Sequence, residues 1–178
     1  MKQTQTFRLA RIPTPIGAML IATDVQDRLR VLDWEDYVPR MEKLLHRHYG
    51  GDAVLVEGDA PAAVAEPLLA YLAGDIAAID TIPTETGGTA FQRAIWAALR
   101  QIPAGQTWSY SDLARHIGRP AAVRAVGLAN GANAISVVVP CHRVIGMSGA
   151  LTGYAGGVER KRWLLEHEGA PLPRQAPR

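Results

Sequence analysis

The chain has 178 residues, 48% of them hydrophobic and 20% charged, with a net charge of +2 and a single cysteine. That is enough material for one large domain or two small ones, and the lone thiol excludes an internal disulfide and any multi-cysteine metal site. No apolar run reaches transmembrane length and Met1 to Arg11 lacks the apolar core of a signal peptide, so a cytoplasmic protein without membrane attachment is expected.

The net charge conceals a split. Residues 1–88 hold 8 Lys and Arg against 13 Asp and Glu, net −5, whereas residues 89–178 hold 11 against 4, net +7. Only the second half would approach a polyanion, unless the asymmetry is ordinary surface charge.

Residues 7–12, 18–23 and 29–34 are short, partly alternating segments separated by Pro13-Thr14-Pro15-Ile16-Gly17 and by Asp24 to Asp27, which reads as an antiparallel meander. Residues 37–49 carry apolar side chains at Tyr37, Met41, Leu44, Leu45 and Tyr49, a helical stripe. A strand over 53–56 and a helix over 62–72 follow, and residues 1–82 are expected to form an α+β domain. His46 and His48 are two apart, which places them on different helix faces rather than in an i, i+4 metal pair, so both are expected in solvent.

Residues 83–89 are turn-rich and are taken as the linker to a second domain over 90–170. Thr89 can cap a helix over 91–101 with Phe91, Ala94, Ile95, Ala98 and Leu99 on its apolar face. Ser109 can cap a short helix running to Ile117, Gly118-Arg119-Pro120 forms a turn, and residues 121–128 form a second helix. This is a helix-turn-helix pattern, a weak signal alone. Its second helix offers Ala121, Ala122, Ala125 and Gly127 with one long cation, Arg124. A major-groove reader needs polar side chains for base edges, whereas small residues permit the close approach that a narrow minor groove requires. The tail, 171–178, is expected to be disordered.

Val137 to Val139 read as a buried strand stopped by Pro140, which leaves Cys141 at the mouth of a buried element with His142 beside it. A lone cysteine is more often a small buried hydrophobe than a nucleophile. Against that reading stand the adjacent histidine, a carboxylate at Glu168 and the helix pair upstream. Successive strand residues face opposite ways, so Cys141 and His142 can cooperate only across a turn or a water, and a turn is expected. A thiolate is the reactive species, so a protein using Cys141 has to lower a thiol pKa of about 8.5.

Pro140-Cys141-His142-Arg143-Val144 resembles the signature of the O6-alkylguanine-DNA alkyltransferases, repair proteins that move an alkyl group from guanine to their own cysteine. Phe91-Gln92, Ile102 to Gly105, Ser109-Tyr110, Arg124 to Gly127, Asn130 to Asn133, Gly153 to Gly157 and Lys161 to Gly169 are similar to that family's blocks in order and spacing. The first half resembles the constitutive bacterial single-subunit type more loosely. The resemblance implies an α+β fold, with a ribonuclease H-like first half and a mostly helical, winged-helix-like second half. It implies irreversible, single-use transfer with no cofactor, acting on duplex DNA containing alkylated guanine without an obligatory protein partner; it leaves O4-alkylthymine open as a second substrate.

The same resemblance implies roles. Cys141 is the acceptor, with His142 and Glu168 as its catalytic partners. Tyr110 contacts the flipped base at N3 and crowds its phosphate, the Ala155 N–H faces O6, and the carbonyls of Cys141 and Val144 face the exocyclic amine. Tyr154 and Gly156 shape the pocket loop, Lys161 supports it, Arg124 fills the space of the extruded nucleotide, and Asn133 is a hinge. Zinc sites in some relatives use first-half cysteines that this chain lacks, so no metal is expected. Two other readings stay open: a helix-turn-helix regulator with a structural cysteine, and a Cys-His-Glu thiol hydrolase that turns over.

Overall fold

The computed structural model describes residues 4–149, 151 and 153–172. The first half is built on a four-stranded sheet of β1 (Thr6–Ile12), β2 (Met19–Thr23), β3 (Leu29–Trp34) and β4 (Val54–Glu57), in the order β3-β2-β1-β4. The meander of β1 to β3 is antiparallel; β4 pairs parallel to β1, Phe7 opposite Leu55, after a return through α1 (Val38–Tyr49). A parallel neighbour requires such a crossover, and the helix supplies it. α2 (Ala62–Leu72) completes this half.

Every residue of β2 is buried because both of its faces are covered. Leu20 and Ala22 pack with Phe7, Val31 and the α1 residues Met41, Leu44 and Leu45. Met19 and Ile21, pointing the other way, join a larger core with Val64 and Leu68. That core continues into the second half through Ile95, Leu99, Leu113, Val126 and Leu164. One hydrophobic core therefore serves both halves.

The second half contains α3 (Ala90–Leu99), the two-residue strands β5 (Trp108–Ser109) and β6 (Val144–Ile145) in a parallel pair, α4 (Tyr110–His116), α5 (Val123–Gly131) and α6 (Val158–His167). Both expected caps form as reciprocal capping boxes, Thr89 with Gln92 and Ser109 with Asp112. The buried face of α3 is Ile95, Trp96, Ala98 and Leu99; Ala94 is exposed, and Trp96 takes its place because its indole N–H reaches the Ala129 carbonyl at 2.9 Å. α5 starts two residues later than expected, with Ala122 at its cap.

Two further expectations are corrected, and one segment gains a contact. Val137 to Val139 are not a strand but part of a tight turn. His48 is not simply solvated: its Nε2 lies 3.0 Å from the Ala132 carbonyl and its ring meets Trp96 edge-on, whereas His46 is exposed. Residues 83–85 lie along the edge of β3, with the Leu29 N–H donating to Pro83 O and the Glu85 N–H to Leu29 O. Of the tail, residues 173–178 fall outside the described residues. No helix among the described residues is long and apolar enough to cross a membrane.

Candidate active site

The site begins with the edge of β3. The Leu32 N–H donates to Ala134 O at 2.9 Å and the Ser136 N–H to Leu32 O at 3.0 Å, so Ile135 adds to the first-half sheet as a single bridge. The chain then reverses. Val138 N–H bonds to Ser136 O, Val139 N–H to Ile135 O and Cys141 N–H to Val139 O, and Val137 is driven to φ +71°. A β-branched residue in the left-handed region costs about 1–3 kcal/mol and persists only where the surroundings over-determine it. Asn133 does so: its Oδ1 accepts from the Ile135 N–H at 2.9 Å and its Nδ2 donates to Val139 O at 2.9 Å.

Beyond Pro140 the chain forms one 3₁₀ turn, Cys141–Arg143, which swings Cys141, His142 and Arg143 all into the interior. His142 is fully buried and its Nε2 lies 3.0 and 3.1 Å from the two oxygens of Glu168. Glu168 caps the C-terminus of α6, where a carboxylate opposes the helix dipole, and its partners explain it. Arg143 donates from Nε to Oε1 and from Nη2 to Oε2, both at 2.9 Å, and Tyr71 donates its hydroxyl to Oε2 at 2.7 Å.

Burial would push Glu168 up, but His142 and Arg143 outweigh it and hold the carboxyl well below its usual range. An ionised carboxylate only accepts, so His142 Nε2 must carry the hydrogen and Nδ1 is left as the acceptor. That Nδ1 is buried and has no hydrogen-bond partner among the described residues. Burial also pushes the imidazole pKa down, so His142 rests neutral.

Cys141 does not behave as expected. Burial pushes its thiol up, and the opposing influences of Asn133, Lys161 and Arg40 do not reverse the shift. The resting group is a thiol, and a thiolate requires that the proton be taken by a neighbour. Lys161 is buried, not solvated; its Nζ donates to Val144 O at 2.6 Å, and burial pushes its pKa down to about 8.

The remaining residues lie in two groups. Tyr154 and Gly156 are buried and Ala155 is exposed. A side chain at Gly156 would come within 2.5 Å of Trp34 Nε1, so glycine is required where the loop crosses the end of β3. In the other group Tyr110, half-buried at the start of α4, packs between Gly127, whose Cβ would lie 3.8 Å from its ring, and Gly153, whose Cβ would lie 3.6 Å from its hydroxyl. Arg124, Ala125 and Ala121 are exposed and Ala122 is half-buried.

Sequence reasoning gave no role to Arg143, Tyr71 or Arg40. Arg143 carried a signal, since an arginine beside a buried cysteine needs a buried counter-charge. Arg40, bonded to the buried Asp33 through Nε at 3.0 Å, and Tyr71 come from the first half and carried none. Among the described residues no group of three or more His, Cys, Asp or Glu side chains could hold a metal ion.

A buried cysteine followed in sequence by a buried histidine–carboxylate pair, beside an exposed helix pair, defines a class of protein, and comparison narrows it. Residues 90–170 match the DNA-binding domain model of 6-O-methylguanine DNA methyltransferase. The chain is 56% identical over 160 residues to a Salmonella typhimurium protein named methylated-DNA–protein-cysteine methyltransferase, covering 89% of this chain and 94% of that one. A Shigella flexneri protein of the same name is 52% identical over the same shares. Mycobacterium tuberculosis OGT, solved in complex with DNA, matches with a TM-score of 0.73 at 40% identity, covering 93% of this chain and 95% of that one. The chain belongs to the methylated-DNA–protein-cysteine methyltransferase family.

Proposed function

We propose that the protein repairs DNA by transferring an alkyl group, methyl in the simplest case, from O6 of guanine in duplex DNA to Sγ of Cys141, once per chain and irreversibly. The observation that carries this reading is the neutral His142 whose Nε2 is committed to an ionised Glu168 and whose Nδ1 is free to accept, with the chain's only thiol at the preceding residue. His142 Nδ1 takes the thiol proton through an intervening water. The thiolate then displaces guanine O6 from the alkyl carbon: an S–C bond forms, the C–O6 bond breaks, and its electron pair stays with the base, which is reprotonated in turn. A thioether has no leaving group good enough to reverse the step, so the protein is consumed.

A base stacked in a duplex cannot meet a buried thiol, so the nucleotide must be extruded at a cost of a few kcal/mol. Arg124, the long exposed cation among Ala121, Ala122, Ala125 and Gly127, takes the vacated space from the minor-groove side. Tyr110 donates to N3, the Ala155 N–H to O6, and the carbonyls of Cys141 and Val144 accept from the exocyclic amine. Both carbonyls already accept one bond, from the Val144 N–H and from Lys161 respectively, and each keeps a second lone pair. Asn133 holds the turn that presents Cys141. The β3-β2-β1-β4 order supports a ribonuclease H-like reading of the first half, and β5-β6 beside α4 and α5 a winged-helix-like reading of the second, with residues 83–89 joining them. The protein works in a reducing compartment, the cytoplasm, without a cofactor or an obligatory protein partner.

The decisive experiment is intact and peptide-level mass spectrometry after mixing with excess O6-methylguanine duplex. One methyl group on the Cys141 peptide, saturating at one per chain and lost in Cys141→Ala, is expected. Unmodified protein that still binds the duplex would leave a DNA-binding module, and removal of more than one equivalent would indicate a turnover enzyme.

A further inference from the structure

Glu168 receives donors from two halves of the molecule. His142 and Arg143 approach from the 3₁₀ turn, 26 and 25 residues away in sequence, while Tyr71 approaches from α2, 97 residues away. Tyr71 is fully buried, and a phenylalanine would fill the same core position without a hydroxyl to desolvate. The hydroxyl is therefore placed for Glu168. The residue is also clamped at its other end: His167 Nε2 lies 2.6 Å from the Tyr71 carbonyl, and the His167 ring meets Tyr71 edge-on while stacking on Trp163.

Resting on the reading above, we propose that Tyr71 is a positioning residue for alkyl transfer: its hydroxyl fixes Glu168 in line with His142 Nε2 and shares the carboxylate's charge, and so sets the pH above which His142 accepts the thiol proton. The charged and titratable groups facing this cluster are Arg143 on the 3₁₀ turn, Lys161 and His167 on α6, and Tyr154 on the loop before α6. On α2 itself Glu66 is exposed, which leaves Tyr71 as that helix's contribution. Arg143 keeps Glu168 ionised with or without Tyr71. Removing the hydroxyl therefore leaves the carboxylate charged but less shared, which favours the imidazolium form of His142 and makes it a stronger base that is protonated at higher pH.

The test is the single-turnover rate of methyl transfer as a function of pH for Tyr71→Phe, with its melting temperature recorded. The acid limb of the profile is expected to move to higher pH by roughly half to one unit while the high-pH rate is retained. 3-Fluorotyrosine at position 71, a stronger donor of nearly the same shape, should move the limb the other way; this variant decides the matter if Tyr71→Phe does not fold. An unmoved limb in both variants, or a uniform loss at every pH, would overturn the proposal and leave Tyr71 a packing residue. If the parent protein transfers no methyl group, the functional reading fails separately. In that case NMR titration of the His142 ring in the same variants still reads the coupling.

Discussion

The two halves of the molecule bury their polar groups in different ways. Among the described residues the first half buries Thr23, Asp24 and Asp33, and the second buries Asn130, Asn133, Ser136, His142, Arg143, Lys161 and Glu168. In the first half Asp24, at the rim, closes the β2–β3 turn and pairs with Arg28 and Arg30, while the buried Asp33 pairs with Arg40. In the second, Asn133 and Lys161 act on one thiol, and His142, Arg143 and Glu168 form a hydrogen-bonded cluster that starts at the next residue. The first half is a frame, and the second accepts the desolvation of charge that its chemistry requires. The frame still reaches inward: the edge of β3 holds Ile135, Trp34 limits Gly156, the charge of Arg40 acts on Cys141, and Tyr71 holds Glu168.

The largest effect that would test this contrast is Glu168→Ala. It leaves the His142, Arg143 and Tyr71 donors buried without their acceptor and should destabilise the protein by about 3–5 kcal/mol in urea unfolding. Glu168→Gln retains an acceptor and should lose less stability, yet slow methyl transfer by about 10²-fold or more. If Glu168→Ala unfolds at the parent's midpoint, the buried cluster is no more than a rim pair.

Asn133→Ala removes the bonds that hold the turn at Val137 and should cost about 2–3 kcal/mol and slow transfer. The matching change in the first half, Asp24→Asn, weakens partly exposed ion pairs, so about 1 kcal/mol or less is expected, with transfer unchanged. Equal losses from the two would erase the contrast.

The pH dependence of stability should also belong to the second half. Because burial holds His142 below its usual value, the unfolded chain takes up a proton on acidification that the folded protein refuses, so stability falls as pH drops below about 6.5. Glu168, held below the usual carboxylate range, adds stability that is present above that range and lost progressively as pH falls from it towards the lower folded value. Lys161 works at the alkaline end: between about 8 and 10.5 the unfolded chain holds a proton that the folded one has lost, so stability rises with pH across that window. Melting temperatures of the parent and of His142→Gln from acid to alkaline pH read these slopes, and a slope unchanged by His142→Gln would assign the acid loss elsewhere. The smallest effect is His48→Ala, which removes a contact between the halves at Ala132 and should cost about 1 kcal/mol with no change in transfer.

Local chemistry was legible in the chain itself. Thr89 and Ser109 cap because the next turn supplies the partner three residues on, the meander is bounded by its own turn residues, and the turn expected at Cys141 and His142 forms directly after Pro140. Tertiary structure decided what depends on distant partners. An apolar β-branched run reads as a strand, yet Val137 to Val139 turn, because Ile135 is taken by the edge of β3 and Asn133 meets the hydrogen bonds that a ladder would have met. Glu168 ends a helix in a position that looks solvated until Arg143 and Tyr71 fold over it. Periodicity tells which side chains leave water, but not which ones meet, and the pKa of a buried acid, base or thiol is set by whom it meets.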